Sequence, residues 1–188
     1  MIKSNNIIAR DMLDMLRACK EKSIEVLLCT DIEFTSQSFE VIILRFSDYD
    51  LEIWSLEQPY KEGGLSDLAR IIVKANPEKN SKSPIGRIDR KKIFHHKKFA
   101  EIPINQTING ISVHNELVQW TNEYGSFLLA NTYAIVISLG KRYLHIVKDP
   151  VWSEIWEISF SQSPVPKAPE WDESEGDKYE IAYSVFEL

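Results

Sequence analysis

The stretch from Asn131 to Val147 constrains this chain more than any other, because it reads as a β-hairpin whose register is set by its own turn. Gly140-Lys141 suits a two-residue loop of type II′, with glycine at the position that needs positive φ. Leu139 then faces Arg142, Ile137 faces Leu144 and Ile135 faces Ile146, so Tyr133, Ile135, Ile137, Leu139, Leu144 and Ile146 share one face. A face so uniformly apolar belongs on a core. The opposite face carries Ala134, Val136, Ser138, Tyr143, His145 and Val147, too apolar for open water and too polar for a dry interior. Partial cover by another element is expected there.

A hairpin needs further strands or a helix to be stable, and both are read on either side of it. A helix of about 17 residues is expected from Asn5 or Asn6, with Ile8, Met12, Met15, Leu16 and Cys19 on one face. Ile24 to Cys29 is apolar on both sides, as in an interior strand, and Phe39–Phe46 with Leu51–Leu56 reads as a second hairpin turned by Ser47 to Asp50. After Gly63-Gly64, Ser66 caps an expected short helix with Leu68, Ile71, Ile72 and Ala75 inward, ended by Asn76-Pro77. Asn109-Gly110 signals a further hairpin within Ile102 to Val113, and a second main helix is expected from about Asn115, burying Leu117, Val118, Trp120 and Tyr124. Read in twos, Trp152, Trp156, Ile158 and Phe160 share one strand face after a turn at Asp149-Pro150. Residues Ser161 to Lys178 hold three prolines and five acids with little to bury, an arm without periodicity. Tyr179 to Leu188 alternates again and is expected to pair with the sheet, pinning the arm at both ends. The fold class expected is α+β: one domain over residues 1–188, with a largely antiparallel sheet of about six to eight strands. The N-terminal helix and the helix near 115–124 would lie on that sheet.

Composition bounds the chemistry. At 188 residues and 44% hydrophobic content the chain can bury one substantial core. Its N-terminus breaks into charge before a secretory apolar region, and no run of about 18 apolar residues could span a bilayer, so a cytoplasmic protein without a membrane span is expected. Cys19 and Cys29 lack any CxxC spacing and sit in apolar surroundings, so they are expected to be reduced and buried. Charge is unevenly spread. Arg70 to Lys98 holds ten Lys/Arg against two acids, a local +8 in a chain of net −6, which leaves −14 for the remainder.

Missing motifs narrow the function. None of the seven glycines lies in GxGxxG, GxxxxGK[ST] or GxSxG, so the usual phosphate cradles and the nucleophile elbow are not present in the sequence. His95 and His96 are adjacent and point apart in either regular structure, which argues against a shared metal, and no metal or other cofactor is expected. Asp48, Asp50 and Glu52 near a strand start, after α-β-β-β, are similar in outline to the plan of metal-dependent nucleases of the PD-(D/E)xK type. The lysine such a site needs is missing, since Glu52 is followed by Ile53 and Trp54. A divergent nuclease is therefore the third reading.

Two surface readings remain. The leading one is a non-enzymatic protein-binding protein of the immunity, inhibitor or chaperone type. It would take a basic protein partner through Glu170, Trp171, Asp172, Glu173 and Glu175, where carboxylates steer the encounter and the indole anchors it. The alternative is a nucleic-acid-binding protein using Arg87, Arg90, Lys91, Lys92, Lys97 and Lys98, interleaved with Ile93, Phe94 and Phe99. Neither reading specifies an oligomeric state.

Overall fold

The computed structural model describes residues 1–30, 37–39, 41–57, 69–77, 99–122, 125–148, 155–171 and 178–188. The central hairpin forms as its turn dictates. Strands β9 (Gly125–Leu139) and β10 (Arg142–Lys148) pair Leu139 with Arg142, Ile137 with Leu144 and Ile135 with Ile146. Gly140 has φ +71°, and Lys141 is not among the positive-φ residues, which are the signs of a II′ turn. Nothing lies within 4 Å of where a Cβ on Gly140 would sit, so the cost of substitution there is purely conformational. Gly140→Ala is expected to lose about 1–2 kcal/mol of stability, read by urea denaturation; an unchanged midpoint would contradict the left-handed turn.

Around this hairpin the described residues build two sheets. The smaller comprises β2 (Ser23–Thr30), β4 (Val41–Arg45), β5 (Asp50–Glu57), β6 (Ala69–Asn76) and β7 (Phe99–Thr107), in the order β6-β5-β4-β2-β7, all antiparallel. The larger runs β12-β8-β9-β10-β11-β3 and uses β8 (Gly110–Asn122), β11 (Ile155–Ser161), β12 (Lys178–Glu187) and the short β3 (Gln37–Phe39). A first strand, β1 (Ile2–Asn6), lies parallel to β9. One helix, α1 (Arg10–Arg17), is found among the described residues, and no helix there is long and apolar enough to cross a membrane.

The core lies between the sheets. Ile24, Leu27, Ile42, Leu44, Ile53 and Val73 from the smaller sheet meet Ile111, Val113, Ile135, Ile137, Leu144, Ile146 and Trp156 from the larger, with Leu16 and Cys19 closing the cluster. The interior strand Ile24 to Cys29 and the hairpin of β4 and β5 are present as read. Both cysteines are buried and free, and burial pushes the Cys29 thiol up to about 12.

The α+β expectation is overturned: the described residues are mostly antiparallel β in two sheets, with one helix among them rather than two. Residues 115–122 are strand, because β8 is paired on both edges, by β9 and by β12, and its Val118 and Trp120 alternate onto one face. Leu117, Val118 and Trp120 satisfy either period over so short a run, and non-local pairing decides between them. Residues 69–76 are likewise strand rather than helix, with Ala69, Ile71 and Val73 alternating inward. The N-terminal helix is eight residues long instead of about 17: Asn5 and Asn6 are taken up in β1, the helix starts only at Arg10, and it ends at Arg17 in turns that lead into β2. That strand supplies hydrogen-bond partners to the edge of β9 beyond the end of β10, an edge that would otherwise stand open inside a sheet. Asn109-Gly110 does not close a hairpin. β7 belongs to the smaller sheet and β8 to the larger, so the two residues turn the chain between sheets, and Gly110 keeps an ordinary φ.

Candidate functional site

The larger sheet's outer face, on the far side from the main core, gathers a second cluster of polar and aromatic residues. Its shape depends on a bulge. His114 pairs with Ala134 and Asn115 with Thr132, so Tyr133 is extra on β9 and turns to the outer face beside Ala134. This moves Tyr133 off the core face to which strict alternation assigns it. Below the bulge the outer face of β8, β9 and β12 carries an aromatic cluster, in which Trp120 stacks on Phe127 with ring centroids 4.9 Å apart.

Residues 161–171 cross this face as a strap. His145 Nε2 lies 2.8 Å from the Ser163 carbonyl, and Ala168 packs on Tyr133, Ala134 and Val147, which supplies the partial cover expected of the half-apolar hairpin face. The strap ends at Trp171, whose ring is 6.1 Å from Trp120 and 5.5 Å from Tyr179. An open cleft of about 190 Å³ lies beside it, lined by Val147, Lys148, Glu157 and residues 167–170.

Buried polar residues stand here on both faces of the sheet: Glu116 under the strap, and Lys148 on the core side, in line with Leu144 and Ile146 and opposite Trp156. Glu116, 1% exposed, accepts from Trp171 Nε1 at 3.1 Å and from Asn131 Nδ2 at 2.9 Å. Burial raises its carboxyl above the ordinary range, opposed by these two hydrogen bonds and by Lys148. Lys148 is fully buried, and burial pushes its ammonium down to about 7 against the pull of Glu116. Its Nζ donates to the Ala69 carbonyl, which also accepts from Asn6 Nδ2 at 3.3 Å. These residues sit where the edge of β9 passes from β1 to β10, between Asn131, paired with Asn6, and Ala134, paired with Val147. Backbone groups at such a junction lose their ladder partners, and side chains replace them: the Ile8 N–H donates to Thr132 Oγ1 at 3.0 Å, and Thr132 Oγ1 donates to Asn115 Oδ1 at 2.6 Å. Burial also lowers the His114 imidazolium, helped by His145.

Glu170 and Trp171 therefore lie at the end of the strap, and Glu170 is paired at the surface with Lys167 at 2.8 Å. Asp172, Glu173 and Glu175 fall outside the described residues, as do Arg87, Arg90, Lys91, Lys92, Lys97, Lys98, His95 and His96. The acids near the β4–β5 turn already have partners. Arg45 grips Asp50 with two bonds of 3.0 Å, and Glu52 accepts from Trp54 Nε1 at 2.9 Å and Asn76 Nδ2 at 3.3 Å. No metal-binding group of three or more ligands occurs among the described residues. Glu116 and Lys148 were not singled out in the sequence. Reading 115–120 in twos would have exposed Glu116 on the Val118–Trp120 face, but nothing local marks Lys148.

Beyond the strap, β12 forms the outer end of the larger sheet, as Tyr179 to Leu188 promised. Tyr183, Val185 and Phe186 on it are exposed, together with Leu117 of β8. No family model, curated protein or solved structure matches this chain.

Proposed function

We propose that the chain is a non-enzymatic protein-binding protein, of the kind that serves as an immunity protein, inhibitor or chaperone, and that it takes a basic partner on the flank formed by the strap and β12. The observation that carries this reading is the closeness of Trp171 and Tyr179, whose rings lie 5.5 Å apart. The two ends of the stretch 172–177, which holds Asp172, Glu173, Glu175 and Asp177, are thereby tied to one place on the outer face. They are tied by an indole that also closes over Glu116 and by a strand paired along β8. Carboxylates carried at the rim of an exposed apolar surface accelerate encounter with a cationic partner, while the apolar surface sustains the complex. Trp171 serves in this reading as the anchor of the acidic stretch.

Affinity purification from native lysate, followed by kinetics on the recovered partner, tests the reading. Changing Glu170, Asp172, Glu173 and Glu175 together to their amides is expected to slow association by about tenfold at low salt and to leave dissociation little changed. The effect should shrink as ionic strength rises. Unchanged association of the correctly folded variant would remove the acidic stretch from the interface.

A further inference from the structure

We infer that β12 is a docking edge, to which an extended partner segment, apolar at alternate positions and basic at its C-terminal end, adds as a further antiparallel strand. The inference rests on the protein-binding reading and names the chemistry of the partner.

No described strand lies along the outer edge of β12 between Ile181 and Glu187. Natural sheets blunt such edges with proline, bulges or inward-pointing charge, because an open row of N–H and C=O groups templates another strand. The sequence Ile181-Ala-Tyr-Ser-Val-Phe186 has none of these, and its pairing with β8 runs without a register shift. Its side chains are instead apolar and exposed on both faces. Tyr183 and Val185 are 51% and 54% exposed on the outer face, while Phe186 at 47% stands on the opposite face with Leu117 of the neighbouring strand. A strand laid about 4.8 Å beyond β12 would cover both rows with its own alternate side chains.

Charge sets the direction. The sequence leading into the N-terminal end of β12 is acidic, with Asp172, Glu173, Glu175 and Asp177 and then Glu180 against the single Lys178, whereas the other end of the strand carries Glu187 alone. An antiparallel newcomer brings its C-terminal end to the acidic end, which is where its lysines or arginines belong.

The test uses the full chain and a synthetic peptide of alternating threonine and valine followed by four lysines, with the same residues in reversed order as control. The lysine-last peptide should bind about tenfold or more tightly than its reversal. At saturation, amide hydrogen exchange should slow across Ile181 to Glu187. Val185→Lys with Phe186→Lys should weaken binding about tenfold, since the substitutions put charge on the edge and remove the exposed apolar surface that the valines of the probe would cover. Equal affinity for the two peptides, no binding, or binding with protection elsewhere would overturn the inference. Self-association abolished by Val185→Lys would overturn it too, because the occupant would then be a second copy. None of these results bears on the kinetics of the amide variant, by which the protein-binding reading stands or falls separately.

Discussion

Ile137→Ala and Leu144→Ala are each expected to lower the unfolding free energy by about 2–4 kcal/mol, the cost of deleting large aliphatic atoms from a site that cannot collapse around the space. Both side chains are wholly buried, they stand opposite one another across β9 and β10, and their face meets the smaller sheet. Because they are neighbours, the double variant should depart from additivity by about 0.5 kcal/mol or more. Urea denaturation measures all three. A loss below about 1 kcal/mol in both single variants would show that this face is not the core of the molecule.

Lys148→Met is expected to raise stability at neutral pH by about 1 kcal/mol or more, since methionine fills a similar volume without a desolvated amine, whose burial outweighs its attraction to Glu116. The lost contact is small, because the Ala69 carbonyl keeps Asn6 Nδ2 as a donor. The same substitution should change how stability depends on pH. Burial brings the Lys148 ammonium from its ordinary 10.5 to about 7, so between those values the unfolded chain holds a proton that the folded chain does not. The stability this group contributes is therefore complete above 10.5 and is lost as pH falls towards 7, by at most roughly 5 kcal/mol. Glu116 has the opposite sign. Its carboxyl is raised from 4.5, so its contribution is complete below 4.5 and is lost as pH rises through its folded value. Together the two groups make stability lower at intermediate pH than at either extreme. Lys148→Met should remove the alkaline rise and leave the acid one, as denaturation at pH 7 and at about pH 9.5 would reveal. A variant less stable than the parent at pH 7, with the alkaline rise intact, would mean that the amine is not held neutral by burial.

Elements whose pattern is set by near neighbours were legible in advance. The hairpin of β9 and β10 was readable because a glycine with φ +71° fixes the turn, and the turn fixes which residues share the core face. β2, β4, β5, β11 and β12 were readable because their apolar residues recur with period two or run unbroken. The misreadings share a cause. Leu117, Val118 and Trp120, or Ile71, Ile72 and Ala75, lie close enough together to fit both a helix face and a strand, and only pairing with distant strands decides: β8 between β9 and β12, and β6 along β5. Asn109-Gly110 has the composition of a tight turn, but the strands on either side join different sheets, so its local preference was outweighed by the separation of their partners.

For the candidate site the division falls in the same place. Sequence alone marked the acidic stretch around Trp171, the alternation of Tyr179 to Leu188 and the need for cover over the face with His145, because charge, composition and period are properties of consecutive residues. It could not show that Trp171 would close over Glu116, that a bulge would turn Tyr133 outward, or that Lys148 would be wholly buried. Each of these follows from where β9 exchanges one neighbour for another, between Asn6 and Val147, residues separated by most of the chain. Burial of a charge is decided by what surrounds it in space, and no local pattern encodes that when the surrounding strands come from both ends of the sequence.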